Sequence, residues 1–504
     1  MKHTIKLLIV FAAIGFVSCE ADFENPVTED GFYTSGTADF SKYVALGNSL
    51  TAGFADNALY ITSQENSYPN IMAGQFALVG GGEFTQPLMD DNLGGLLKGG
   101  QQITSNRLVL AFDANGNPGP VTLEGVPTTD VATSVAGPYN NMGVPGAKSF
   151  HLNANGYGAA NVYYERFQTS ANASVIEDAA SIGATFFSLW IGNNDVLSYA
   201  TSGGSGVDQT GNTDLSTYGN SDITDPAVFA SVYSQQVSAL TAGGAKGALG
   251  NIADVTSASF FTTVPPQSIP LDAATAGAVN AQFADYNTQV LPGLAGLGII
   301  TPAEAAARMV TFTAGVNFPI ITDNDLTDIT AILQGPPFSL PAPTAALLGQ
   351  LRQVNSNDLI LITALSQLGA VPDPSNPLGV VGLSIPVANQ FVLTEAEQAR
   401  VAAAADAYNV AINALAIEND LAYVDVKTAL AEVADTGVSF DGGVITSEFV
   451  TGGTFSLDGI HPTPRGYAYT ANEFIKAINR KYDATVPMVD IGNYGTVTLT
   501  NNGG

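Results

Sequence analysis

The chain has a single cysteine, Cys19, so it carries no disulfide framework and no multi-cysteine zinc or iron–sulfur site. Positive charge is also scarce: 16 Lys and Arg stand against 45 Asp and Glu, a formal net charge of −29. Such a field repels polyanions, which makes nucleic acid a poor candidate partner and an acidic polymer a poor substrate. Histidine is reduced to His3, His151 and His461, and tryptophan to Trp190. Chemistry that needs an imidazole therefore has few places to be. There is no internal repeat of solenoid or propeller length, and no Gly-x-Ser-x-Gly, P-loop or dinucleotide fingerprint.

What is present is apolar. Hydrophobic residues make up 46% of the 504 and charged residues 12%, a balance that excludes a wholly disordered chain and supplies a large core. The length accommodates several domains, or one large domain with long insertions.

At the N-terminus, Lys2 and Lys6 precede an apolar run from Leu7 to Phe16 and then Val17-Ser18-Cys19. The run is too short for a permanent membrane span. It resembles a bacterial lipoprotein signal, a resemblance that implies cleavage after residue 18, acylation of Cys19 and an extracytoplasmic protein held on the outer membrane or cell surface through that residue. Residues 19–40, acidic and polar at first, read as a tether.

Beyond the tether, apolar strands alternate with helices. Tyr43 to Leu46 is a strand that stops at Gly47, Tyr68 to Ala77 a helix, and Thr185 to Ile191 a strand stopped by Gly192. A helix from Ser174 to Ser181, a helix from Pro226 to Thr241 and a strand from Gly247 to Ile252 continue the rhythm. Leu108 to Leu123 reads as a hairpin about Asn115-Gly116. The alternation lapses between residues 266 and 390 in Pro-rich and Ala/Leu-rich pieces, a large insertion that forms either a cap over the site or a small subdomain. It resumes at Thr394, which with Glu397 forms a capping box opening a helix to Glu418. A strand from Ala422 to Val426 follows, then a last helix from Pro464 to Tyr482 with Thr463 as N-cap. The pattern predicts an α/β fold with a mostly parallel sheet between two helical layers, its core split into 41–265 and 391–482, and a peripheral tail over 483–504.

His461 lies in Asp458-Gly459-Ile460-His461-Pro462-Thr463, directly before the last helix. A carboxylate three residues ahead of an imidazole can fold back onto Nδ1–H, which fixes the tautomer and leaves Nε2 to take a proton. A nucleophile belongs just past the carboxyl end of a strand, where α/β sheets place their sites, and Ser49 in Gly47-Asn48-Ser49-Leu50 stands there.

These residues resemble the SGNH, or GDSL, family of serine ester hydrolases. Ala45 to Gly53 is similar to its first block and Asp458 to Pro462 to its last, while Asn141 to Ala147 and Gly192-Asn193-Asn194-Asp195 are similar to the two between. The resemblance implies a flavodoxin-like three-layer α/β/α fold, Ser49 as nucleophile, His461 as base and Asp458 as its orienter. It also implies an oxyanion hole formed by the Ser49 N–H, the Gly146 N–H and the Asn194 side chain. Donors preset around a developing oxyanion are each worth on the order of a hundredfold to a thousandfold in rate. A small residue at position 146 lets the backbone approach the oxygen, and Asn194 offers an uncharged donor. Asn48 replaces the Asp of the family's name motif, keeping its size and hydrogen-bonding capacity without its charge.

No cofactor or metal is required by this chemistry. The expected substrate is a small-molecule or lipid ester, with the apolar insertion as a lid for acyl chains. An acetylated-glycan esterase is the alternative enzyme, and an inactive binding lipoprotein the alternative class. His151 reads as a residue of a helix start or the surface, Trp190 as core, and Asp323 to Asp328 as helix capping rather than a calcium loop, since Gln334 stands where the twelfth-position Glu would be.

Overall fold

The computed structural model describes residues 32–500, apart from 114 and 377. Cys19, the signal segment and most of the expected tether lie outside the described residues.

The central sheet has five strands, β1 (Tyr43–Gly47), β2 (Asn141–Gly143), β3 (Phe186–Trp190), β4 (Lys246–Gly250) and β5 (Ala422–Val424), in the order β5-β4-β3-β1-β2. Every pairing is parallel; Tyr43–Gly47 lie opposite Phe186–Trp190, and Ala45–Gly47 opposite Asn141–Gly143. Strands with neither face open to water carry apolar residues at successive positions, as β1 and β3 do.

Alternate residues go to opposite faces. Val44, Leu46, Phe187 and Leu189 pack on one side with α3 (Val175–Ser181), α4 (Asn194–Thr201), α5 (Pro226–Thr241) and α6 (Glu395–Glu418). Tyr43, Ala45, Phe186 and Trp190 pack on the other with α2 (Tyr68–Ala77), α7 (Val426–Asp435) and α8 (Pro464–Tyr482), while α1 (Ser49–Ala52) is a single turn at the end of β1. The result is a three-layer α/β/α sandwich with an all-parallel sheet. Its helix starts are those the caps predict: the Thr394 and Glu397 side chains accept reciprocally from each other's N–H, at 3.3 and 2.8 Å, and Thr463 Oγ1 accepts from Gly466 N–H.

Two expectations change. Residues 34–40, read as the end of the tether, are docked: Phe40 is buried against Phe76, with ring centroids 4.0 Å apart, and Thr37 N–H donates to the Tyr482 carbonyl. The tail is not peripheral, because the amides of Asn472 and Asn479 on α8 each exchange two hydrogen bonds with it, at Val489 and Val486, and Val486 and Ile491 are buried. The strand β2 has no signature of its own, since three residues are too few to show a period.

The hairpin forms as expected, Leu108–Phe112 against Pro118–Thr122. Residues 266–390 build their own hydrophobic core around Phe283, Leu294, Ile320 and Leu351. They are tied to the main body by the Asp325–Arg400 ion pair and by Asn389, which reaches the Gly203 carbonyl. Asp323 pairs with Arg352, and Asp328 accepts from Thr330 N–H at the start of a short helix; no metal-binding cluster occurs among the described residues.

Candidate active site

Strand β1 delivers Gly47, Asn48 and Ser49 to the carboxyl end of the sheet. A Cβ on Gly47 would lie 2.2 Å from Thr51 Oγ1 and 2.4 Å from the Trp190 carbonyl, so only glycine lets the chain turn this tightly against β3. Asn48 caps α1, its Oδ1 accepting from Leu50 N–H at 3.0 Å. An aspartate would do the same job with one oxygen, so the substitution changes only the other arm, Nδ2, which is buried without a partner among the described residues.

Ser49 is the first residue of α1, and its N–H, like the others of a first turn, has no acceptor within the helix. Its Oγ lies 2.9 Å from His461 Nε2, and His461 Nδ1 lies 2.8 Å from Asp458 Oδ2. The carboxylate also accepts from the N–H groups of Ile460 and His461 at Oδ1 and of Asn57 at Oδ2, each at 2.9 Å. Burial alone would raise the Asp458 pKa; the His461 charge and hydrogen bond and the backbone donors outweigh it and hold the carboxyl at about 2. An ionised carboxylate only accepts, so Nδ1 carries the ring proton, Nε2 is left as acceptor, and the Ser49 hydroxyl donates to it.

Asn194 opens α4 beside this group. Its Nδ2 donates to the Ala147 carbonyl at 2.9 Å, which fixes the amide and leaves its second N–H unassigned. Gly146 precedes that carbonyl and is exposed, with φ +79°. Among the described residues its N–H has no acceptor. A Cβ at Gly146 would meet nothing within 4 Å. The left-handed backbone by itself favours glycine at this position.

Sequence reading assigned no role to Asp195, although it ends the third block. It is fully buried, and its carboxylate accepts from Ser149 N–H at 2.8 Å and Ser149 Oγ–H at 2.7 Å, which clamps the segment after Gly146 to α4. His151 takes no part: its Nδ1 accepts from Lys148 N–H, its ring stacks on Tyr157, and burial together with the Lys148 charge lowers its pKa to about 4.

Ser49, Asn194 and His461 share one cavity, which Gly146 does not line. The wall is mainly apolar, with Leu197, Val255, Leu430, Val433 and Phe455, and the cavity runs between α7 and α8. Trp190 presents an edge to it but is packed against Tyr68 and Phe474, with its indole N–H donated to the Asn251 carbonyl. No described residue of the 266–390 insertion contributes to the wall. The lid reading of the insertion is therefore corrected: its apolar residues are spent on a core of its own.

A serine, an imidazole and a carboxylate joined in series at the carboxyl edge of a parallel sheet define a hydrolase-type α/β protein. The family model described as GDSL-like Lipase/Acylhydrolase matches residues 217–474, half of the chain, and the chain belongs to that family. The matched segment contains Asp458 and His461 and begins after Ser49, Gly146 and Asn194. No match was found among curated proteins or among solved structures.

Proposed function

We propose that the protein is a serine hydrolase of neutral carboxylic esters that works through an acyl-enzyme. The observation that carries this reading is the unbroken chain of hydrogen bonds from Asp458 through His461 to Ser49, facing an apolar cavity. Ser49 Oγ attacks the ester carbonyl while His461 Nε2 takes its proton. The oxyanion is met by the N–H groups of Ser49 and Gly146 and by the free N–H of Asn194. Collapse returns the proton to the departing alcohol, and water, deprotonated by the same nitrogen, then releases the acid and restores Ser49.

The mainly apolar wall favours an aliphatic acyl chain over an acetyl group on a glycan. p-Nitrophenyl butyrate and hexanoate are expected to be cleaved with a kcat/KM about tenfold above that of the acetate. Leu430→Trp, which narrows the cavity, is expected to remove this advantage while leaving acetate within about threefold. If acetate is the best substrate of the unmodified protein, the deacetylase reading replaces this one.

The anchoring of the protein outside the cytoplasm through acylated Cys19 is part of the same proposal, supported by the charged and apolar segment before the only cysteine. Metabolic labelling with a fatty-acid analogue is expected in the native chain and lost in Cys19→Ala; equal labelling of both would remove the anchor.

A further inference from the structure

We infer that Asp56 is a positioning residue that sets the aim of Asp458 and His461, an inference that rests on the serine-hydrolase reading above. Asp56 and Asn57 form a two-residue turn in which Ala55 and Ala58 exchange backbone hydrogen bonds at 3.0 and 2.9 Å. Both turn residues have positive φ, +52° and +61°. Two left-handed residues in succession are what the tightest hairpin turn demands, and Asp and Asn are the side chains that tolerate it best.

This turn grips the loop that carries the acid and base at three consecutive residues. Asp56 N–H donates to Ser456 Oγ at 2.9 Å, Asp56 Oδ1 accepts from Leu457 N–H at 3.1 Å, and Asn57 N–H donates to Asp458 Oδ2 at 2.9 Å. That last oxygen is the one that accepts from His461 Nδ1–H. Any displacement of the turn therefore moves the carboxylate lone pair that orients the imidazole, and with it the approach of Nε2 to Ser49.

Asp56 is itself held from outside the core. It is buried at 4% exposure, and its Oδ2 accepts from the Tyr60 hydroxyl at 2.7 Å and faces Arg107 Nη1 at 3.9 Å. Among the described residues that guanidinium nitrogen has no hydrogen-bond partner, and the group lies 4.8 Å above the Tyr60 ring. Leu108 N–H, at the base of the hairpin, donates to the Asp56 carbonyl. The hairpin is thereby a strut for the acid–base loop. Neither Asp56 nor Asn57 lines the cavity, so the turn acts on the reacting groups without touching the acyl chain.

The test compares Asp56→Ala, Asp56→Asn and Ser49→Ala on p-nitrophenyl butyrate, with melting temperatures measured alongside. Asp56→Ala is expected to lower kcat about a hundredfold with KM within about twofold, the scale of a misplaced catalytic group. Asp56→Asn, whose Oδ1 can still accept from Leu457 N–H, is expected to restore kcat to within about fivefold. A folded Asp56→Ala with a lower melting temperature and unchanged kcat would overturn the inference, because burial alone then explains the residue. If Asp56→Ala does not fold, Ser456→Ala deletes one grip and should cost about tenfold in kcat; unchanged kcat there overturns it equally. An inactive Ser49→Ala beside a fully active Asp56→Ala removes only the positioning role, whereas a fully active Ser49→Ala removes the serine mechanism itself.

Discussion

Replacing Ser49 with alanine is expected to lower kcat toward p-nitrophenyl butyrate by about 10⁵-fold, with the melting temperature essentially unchanged. The size follows from the site: among the described residues Ser49 is the only hydroxyl bonded to His461, and without it the remaining donors and cavity supply only general stabilisation of the reaction. The fold should be indifferent, because among the described residues Ser49 Oγ has His461 as its one hydrogen-bond partner and α1 is capped by Asn48, not by Ser49. A fluorophosphonate probe should label the native chain once and the variant not at all, read by intact mass. Labelling of Ser49→Ala at the native rate would place the nucleophile elsewhere.

Asp458→Asn is expected to cost about 10⁴-fold in kcat. An amide in place of the carboxylate weakens the preference for a proton on Nδ1, and a ring protonated on Nε2 cannot accept the Ser49 proton. The same variant reports on stability. Asp458 is held at about 2, below its ordinary 3.8, so its contribution is complete above pH 3.8 and is lost as pH falls toward 2. The shift corresponds to roughly 2 kcal/mol. Urea titrations should therefore show a gap between native and Asp458→Asn that is open at pH 5 and much reduced at pH 2.5. A gap that stays constant would mean that the carboxylate is not stabilised by the His461 loop.

The parts of the fold that are legible in the sequence are those with a local cause. Strand β1 is an apolar run and β3 one broken only by Ser188, and α6 and α8 begin at side chains that satisfy their free N–H groups. The 266–390 insertion is illegible beyond its existence: helices such as Pro302–Ala307 and Ala342–Leu348 are too short for a helical period to stand out, and the longer Ala273–Asp285 is so rich in alanine that its apolar face has little contrast. Phe40 reads as the end of a tether because nothing near it in the chain reveals that Phe76 and Phe186 wait beside it.

The site divides in the same way. Asp458 and His461 are legible because they stand three positions apart, and a turn of chain is enough to close their hydrogen bond. Ser49 is legible from its place after a strand. The bond between Ser49 and His461 spans 412 positions, and that between Asp56 and Leu457 spans 401; no local pattern anticipates either.

Chemical capacity was thus determined by the sequence itself, through one serine after β1, one Asp-x-x-His before α8 and a glycine and an asparagine at two other strand ends. Tertiary structure decided the rest: that the apolar cavity beside Ser49 lies between α7 and α8 and not beneath the insertion, that Gly146 has a left-handed backbone, and that a left-handed turn at Asp56 holds the loop carrying Asp458 and His461. The physical reason is range. Caps, turns and strand patterns depend on near neighbours in the chain, whereas cavities and positioning contacts depend on which surfaces remain apposed once the sheet and its two helical layers have packed.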